Sequence, residues 1–146
     1  MAAGGAFALA LLFPVAIIYV FSRVSGWNTL AEHYPAREPP PAPRKWNGSG
    51  VLRHWMGYNG GIVISSDARG MYLAAMPIIL SFCHRPIFVP WSEIREIRRA
   101  RSLMSEGYQI ETLRTPELEF MLRPSTFEFV KQNARSAGVK GDYLSE

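Results

Sequence analysis

A single cysteine, Cys83, stands in this chain of 146 residues. One thiol closes no intrachain disulfide, so an oxidised, cross-linked secreted scaffold is excluded and a reducing compartment fits. Formal charge is absent from Ala2 to Ser22, and no Lys or Arg precedes that run. A cleaved signal peptide calls for a basic start, a shorter apolar core and a small-x-small cleavage site, and Phe21-Ser22-Arg23-Val24-Ser25-Gly26 is a poor context for one. Reactive constellations are missing too. His33, His54, His84 and Cys83 lack metal-site spacing, and adjacent Cys83 and His84 would point apart on a strand rather than pair as nucleophile and base. No glycine-rich phosphate loop precedes a helix; Gly57 to Gly61 falls between strand patterns. The expectation is therefore a non-enzymatic protein with no catalytic residue, no metal and no cofactor. Strong charge is lacking as well: the net value is +4, and residues 46–138 hold eleven Lys and Arg against eight Asp and Glu. That excess suits an anionic surface and falls short of a nucleic-acid-binding stripe.

What is present begins with the uncharged run itself. Twenty-one residues from Ala2 to Ser22, rich in Ala, Leu, Ile, Val and Phe, are followed at once by Arg23. At about 1.5 Å per residue such a helix spans roughly the 30 Å hydrocarbon core of a bilayer, so residues 1–24 read as one N-terminal transmembrane α-helix. Pro14 is expected to kink it. Arg23, Arg37, Arg44 and Lys45 all come after the run, and the positive-inside bias they create puts the N-terminus outside and the rest in the cytoplasm. The expected location is the cell (inner) membrane, as a single-pass protein.

Residues 25–45 connect this helix to the remainder of the chain. Trp27, Leu30, Ala31 and Tyr34 share one face of a short helix from Ser25 to Tyr34. Trp27 and Tyr34 suit the headgroup level, which makes them candidate interfacial anchors; the alternative is a helix packed on the adjoining domain. Five prolines among the eleven residues Pro35 to Lys45 exclude helix and favour a polyproline II spacer. Fully extended at about 3.1 Å per residue it would reach roughly 34 Å and hold the domain clear of the headgroups.

Residues 46–138 form the one soluble domain, ahead of a short polar tail, 139–146. Val51 to Met56, Ile62 to Ile64 and Met71 to Met76 are the first strands, with Gly57 to Gly61 and Ser66 to Gly70 as turns. Asp67 is expected to bond the backbone of its own turn. Pro77 to Phe82 is apolar and too short to cross a membrane. The run from His84 to Pro90 reads as an edge strand bounded by prolines, and the spacing of Ile94 and Ile97 points to a bulge or one helical turn after Trp91. Alternation is clearest in Tyr108 to Thr112 and Leu118 to Leu122, joined at Arg114-Thr115-Pro116. A last helix opens on a Ser125-Thr126-Phe127-Glu128 capping box, presents Phe127, Val130, Ala134 and Ala137 on one face, and ends at Gly138.

Gly70-Met71-Tyr72-Leu73, succeeded by Pro86-Ile87-Phe88-Val89-Pro90-Trp91-Ser92-Glu93-Ile94, resembles the GRAM and bacterial PH-like pattern, a Gly-x-Tyr-Leu strand ahead of one ending in Pro-Trp-Ser-x-Ile. The chain is also similar to small bacterial proteins with one N-terminal membrane helix. The resemblance, over about Trp46 to Gly138, implies a mainly β domain with one capping helix, a pleckstrin-homology-like barrel. Two departures speak against stereospecific phosphoinositide binding: Met56 to Gly61 carries no Lys or Arg, and the last helix offers Phe127 and Phe129 where that family has a tryptophan.

Arg95, Arg98, Arg99 and Arg101 are the one concentrated feature, four guanidiniums in seven residues with Glu93 and Glu96 nearby. They are candidates for binding a partner or a lipid, against the plainer reading of a solvated strand paired with Glu93, Glu96 and Glu106. The leading functional expectation is a membrane-integral protein whose cytoplasmic domain binds another protein, through an exposed strand edge near Pro86 to Pro90. The alternative is anionic-lipid headgroup binding by the arginine cluster, each basic residue adding roughly 1 kcal/mol near an anionic leaflet.

Overall fold

A computed structural model describes residues 3–53, 56–76, 83–103 and 105–141, apart from the side chains of residues 3, 4, 6 and 7. The expectations for Pro77 to Phe82 and for the end of the tail lie outside the described residues, as do His54 and Trp55. The uncharged run is helical as α1 (Ala3–Val24), continuous through Pro14. The chain turns at Gly26 and re-enters helix as α2 (Trp27–His33). Seven strands come next: β1 (Lys45–Leu52), β2 (Met56–Ser66), β3 (Gly70–Ala75), β4 (Ile87–Pro90), β5 (Ile94–Arg101), β6 (Glu106–Thr112) and β7 (Phe120–Leu122). They form one antiparallel sheet in the order β4-β3-β2-β1-β7-β6-β5, curled into a half-barrel. The last element, α3 (Pro124–Ser136), packs on β1, β2 and β6.

Alternation decides most of this sheet. Tyr108 pairs with Leu122, Gln109 with Met121 and Ile110 with Phe120, the register the two alternating runs imply. A single 3-10 turn, Trp91–Glu93, separates β4 from β5, and a register shift lies between Ile94 and Glu96. Asp67 does bond its own turn, its carboxylate accepting from the backbone N–H of Arg69 and of Gly70. The core gathers Leu52, Ile62, Ile64, Leu73, Ile87, Ile110 and Leu122 under Phe127, Val130 and Ala134 of α3, as the helix pattern requires. At its end Val139 N–H donates to Ala134 O and Gly138 N–H to Arg135 O, with Gly138 at φ 83, the paired bonds of a glycine C-cap.

Several expectations are overturned. Gly57 to Gly61 is no turn: it lies inside β2, with Gly57 opposite Val51 and Tyr58 opposite Gly50, and the reversal comes at Arg53, whose φ is 52. Three glycines in five residues satisfy a turn pattern, yet Gly57 is paired with β1, and the positive φ the pattern foresaw is used at Gly60 (φ 66), where the β1–β2 register shifts and Gly60 N–H donates to the Ser49 hydroxyl. The Ser125 capping box does not form. Pro124 already occupies the first helical turn, the Thr126 hydroxyl accepts from Ser49 N–H, and Glu128 pairs with Lys131 at 2.8 Å. Ala137, expected on the apolar face, is exposed past the end of the helix.

The proline-rich segment is not a free spacer. Pro35 bridges Ile87, Ala36 N–H donates to Pro86 O, and Phe88 N–H donates to Tyr34 O. Further along, the Ser65 hydroxyl lies 2.6 Å from Pro41 O and 2.9 Å from Pro43 O, and Glu38 reaches Arg69 at 3.6 Å. Proline keeps a carbonyl acceptor although it lacks a donor, and these carbonyls are what the sheet side chains hold. The segment is laid along the half-barrel, so it gives no reach.

Candidate functional site

Arg95, Arg98, Arg99 and Arg101 all lie in β5, the outermost strand of its side of the sheet, and all four are exposed. Strand geometry divides them. Ile97, Arg99 and Arg101 stand opposite Ile110, Tyr108 and Glu106, on the face that turns toward α3. Arg98 stands opposite Gln109 on the outer face, and Arg95, at the register shift, reaches Glu111 there at 3.2 Å. Arg101 pairs with Glu106 at 3.4 Å. Arg98 has no acidic partner among the described residues. The Arg99 guanidinium lies 5.8 Å over the Tyr108 ring, which itself stacks on Phe127 at 4.2 Å, and a groove of about 380 Å³ opens between Arg99, Arg101, Tyr108 and Pro124. The plainer reading of the cluster is right in kind for Arg95 and Arg101, but only Glu106 of the partners it named takes part; Glu93 belongs to Arg114, at 3.2 Å.

The candidate interfacial anchors, Trp27 and Tyr34, are not at any surface. Trp27 is 1% exposed and Tyr34 3%, because the apolar face of α2 packs into the mouth of the half-barrel. The Trp27 indole donates to Arg85 O at 2.8 Å. Tyr34 donates to Glu93 and accepts from Arg114 N–H, while the Arg114 guanidinium also reaches His33 O. Burial pushes the Tyr34 phenol up from its ordinary value. Of the two readings of α2, packing on the domain is the one observed. An amphipathic seven-residue helix meets a sheet or a headgroup layer with the same apolar face, so sequence could not separate them.

Sequence reasoning missed the cluster that joins α1 to the sheet. Ser25 Oγ and Tyr58 Oη share a hydrogen bond of 2.7 Å, and Tyr58 Oη lies 3.1 Å from His84 Nε2. Phe21, at the end of α1, meets the Tyr58 ring edge-on at 5.3 Å, and Trp27 packs against both Tyr58 and His84. Ser25, Tyr58 and His84 are buried, so this arrangement fixes position and presents no reactive group to solvent. The only sequence signal was the wrongly assigned turn around Tyr58. Desolvation raises the Tyr58 phenol to about 12, a rise the Ser25 hydrogen bond partly offsets.

A pH dependence results from that shift. Tyrosine in an unfolded chain titrates near about 10, so below that pH both states hold the proton and Tyr58 adds no slope. Above it the unfolded chain loses the proton first. Stability should therefore fall between about pH 10 and 12, by on the order of 2 to 3 kcal/mol. Ultraviolet titration of Tyr58→Phe should lack one late-ionising tyrosine that wild type shows; an identical late phase in both proteins would refute the buried assignment.

Cys83 is half-buried with a free thiol, and among the described residues no group of His, Cys, Asp and Glu is placed to hold a metal ion. Nor is any single helix among them long and apolar enough to cross a membrane; Ala8–Val24 passes that test only together with Trp27–His33, across a bend of 64°. No family model, curated protein or solved structure matches the chain.

Proposed function

We propose that the protein is a membrane-held interaction module: α1 enters the bilayer as a single pass, and the half-barrel, a PH-like domain, is presented at the cytoplasmic face to bind another protein. The observation that carries this reading is the surface of α1. Leu9, Leu11, Leu12, Phe13 and Ile17 are all at least half exposed, and every residue from Ala8 to Ile17 is both apolar and exposed, a run of nearly three turns that bares the helix on all sides. A helix that is apolar all round is stable only when covered, and in lipid the cover is already there. Taken whole, its 22 residues extend for about 33 Å. The buried junction through Phe21, Ser25, Tyr58 and His84 then supports a domain docked on the end of α1, in place of one swinging on a leash.

Alkaline carbonate extraction of membranes tests the anchor. Wild type should stay in the pellet, and Leu12→Lys combined with Ile17→Lys should release most of the protein, since each central lysine costs about 2.5 to 3.5 kcal/mol of insertion. Wild type found in the supernatant would overturn the reading. Crosslinking in intact cells that recovers no partner for wild type would overturn the interaction half of it.

Direct binding of anionic lipid by Arg95, Arg98, Arg99 and Arg101 is the less supported alternative. A flat bilayer meets one face of a strand, and these side chains leave β5 on two.

A further inference from the structure

The two edges of the sheet differ. β4, the edge expected to be exposed near Pro86 to Pro90, is covered by the chain itself: the Tyr34–Ala36 backbone bonds Phe88 N–H and Pro86 O. β5 is not covered. Every second residue of an antiparallel edge strand turns its N–H and C=O away from its one partner, and from Arg95 to Arg101 no further backbone hydrogen bond reaches β5 among the described residues. Eight residues make it as long as β1 and twice as long as β4. An open edge of that length accepts an added strand unless charge forbids it.

Here charge selects the occupant. A second copy of the chain pairing through β5 would set Arg95, Arg98, Arg99 and Arg101 against the same four residues, and like charges directly opposite are destabilising. An acidic strand meets the opposite situation. Its side chains alternate between the two faces of the sheet, as the arginines do: Arg98 awaits a carboxylate on the outer face, Arg99 and Arg101 on the face toward α3. Among the described residues neither Arg98 nor Arg99 is paired with a carboxylate; Arg95 and Arg101 are, and Arg99 lies over the Tyr108 ring. The groove between Arg99, Arg101, Tyr108 and Pro124 adjoins that inner face and gives room for one side chain of the incoming segment.

The geometry points to β5 as a docking edge for an extended acidic segment of a partner protein, which adds as an eighth strand with carboxylates on both faces. This rests on the interaction-module reading and gives it a site and a partner chemistry. Main-chain bonds supply affinity, and the arginines favour an acidic strand and reject a basic one.

The test uses the full chain in nanodiscs of neutral lipid and a fluorescent peptide repeating Glu-Glu-Val-Val, whose paired glutamates put carboxylates on both faces of a strand. Binding should be saturable and should slow amide hydrogen exchange in β5. The same peptide, N-methylated at every second residue, keeps its charge and loses its donors; it should bind at least roughly tenfold more weakly. Arg98→Glu with Arg101→Glu should weaken the unmodified peptide by a similar factor. Equal binding of the methylated peptide, or protection elsewhere than β5, overturns the proposal. Loss of peptide binding in nanodiscs containing anionic lipid would mean that the arginines lie on the bilayer, and it overturns the proposal in favour of lipid. If the charge-reversed chain still crosslinks its cellular partner, the β5 edge is refuted while the module stands. If wild type crosslinks none, the module itself is refuted.

Discussion

Trp27→Ala should destabilise the protein by about 3 to 5 kcal/mol, the usual cost of deleting a large aromatic side chain from a packed core. The indole packs on Tyr58 and His84 and donates to Arg85 O, and all of its neighbours are held by the same junction. No small movement can refill the hole, because α2 is pinned on its far side by the Tyr34, Glu93 and Arg114 network. The comparison that gives the result meaning is with an interfacial tryptophan. Were Trp27 sitting among headgroups, alanine would alter how firmly the chain holds the bilayer and leave the unfolding midpoint of the half-barrel almost unchanged. Denaturant unfolding of the full chain in mild detergent, read by near-ultraviolet circular dichroism, separates the two. A midpoint unchanged by the substitution would mean that the junction between α1, α2 and the sheet is not formed in solution.

How much of this was legible depends on which physical signal each element leaves in the sequence. Period-two alternation in Tyr108 to Thr112 and Leu118 to Leu122 pointed to both strands, because one face is buried and a slip by one residue would invert every side chain, although the second strand begins only at Phe120. The face of α3 and its glycine cap were equally plain, since Phe127, Val130 and Ala134 recur at helical spacing and Gly138 comes just after. Proline misled in the segment from Pro35 to Lys45. Its composition describes an isolated chain, and what places it is the carbonyls of Pro41 and Pro43 held by Ser65 and Asn133, with Ala36 N–H donating to Pro86 O, contacts remote in sequence. The arginines of β5 were visible as a cluster, but their division between two faces is a property of pairing with β6. Likewise Ser25, Tyr58 and His84 come from three separate segments, and no spacing rule joins them.

Glycine carries the same ambiguity, and Gly107→Val turns it into a measurement. In sequence Gly107 comes just after Ser105-Glu106 and just ahead of the alternating run from Tyr108. In the structure it sits within β6 opposite Ala100, where the β7 backbone crosses so closely that an added Cβ would collide with the carbonyl oxygen of Leu122 and crowd Arg123 Cα at 3.3 Å. Both obstacles are main chain, so no rotamer change relieves them. The sheet would have to open between β6 and β7, losing the Tyr108–Leu122 pairing that seats Tyr108 on Phe127. The expected cost is about 3 kcal/mol or more, the upper part of the range for overpacking, since rigid backbone rather than a mobile side chain must yield. Gly57→Ala supplies the contrast: its Cβ would meet nothing nearer than the Asn59 side chain at 3.9 Å, so stability should stay within roughly 0.5 kcal/mol of wild type. Thermal unfolding of the two variants beside wild type decides the matter. A large loss for both would mean that β2 as well as β6 is crowded at its glycines. A small loss for both would mean that β6 and β7 do not approach as described, and the groove beside β5 would then lose the wall that Pro124 gives it.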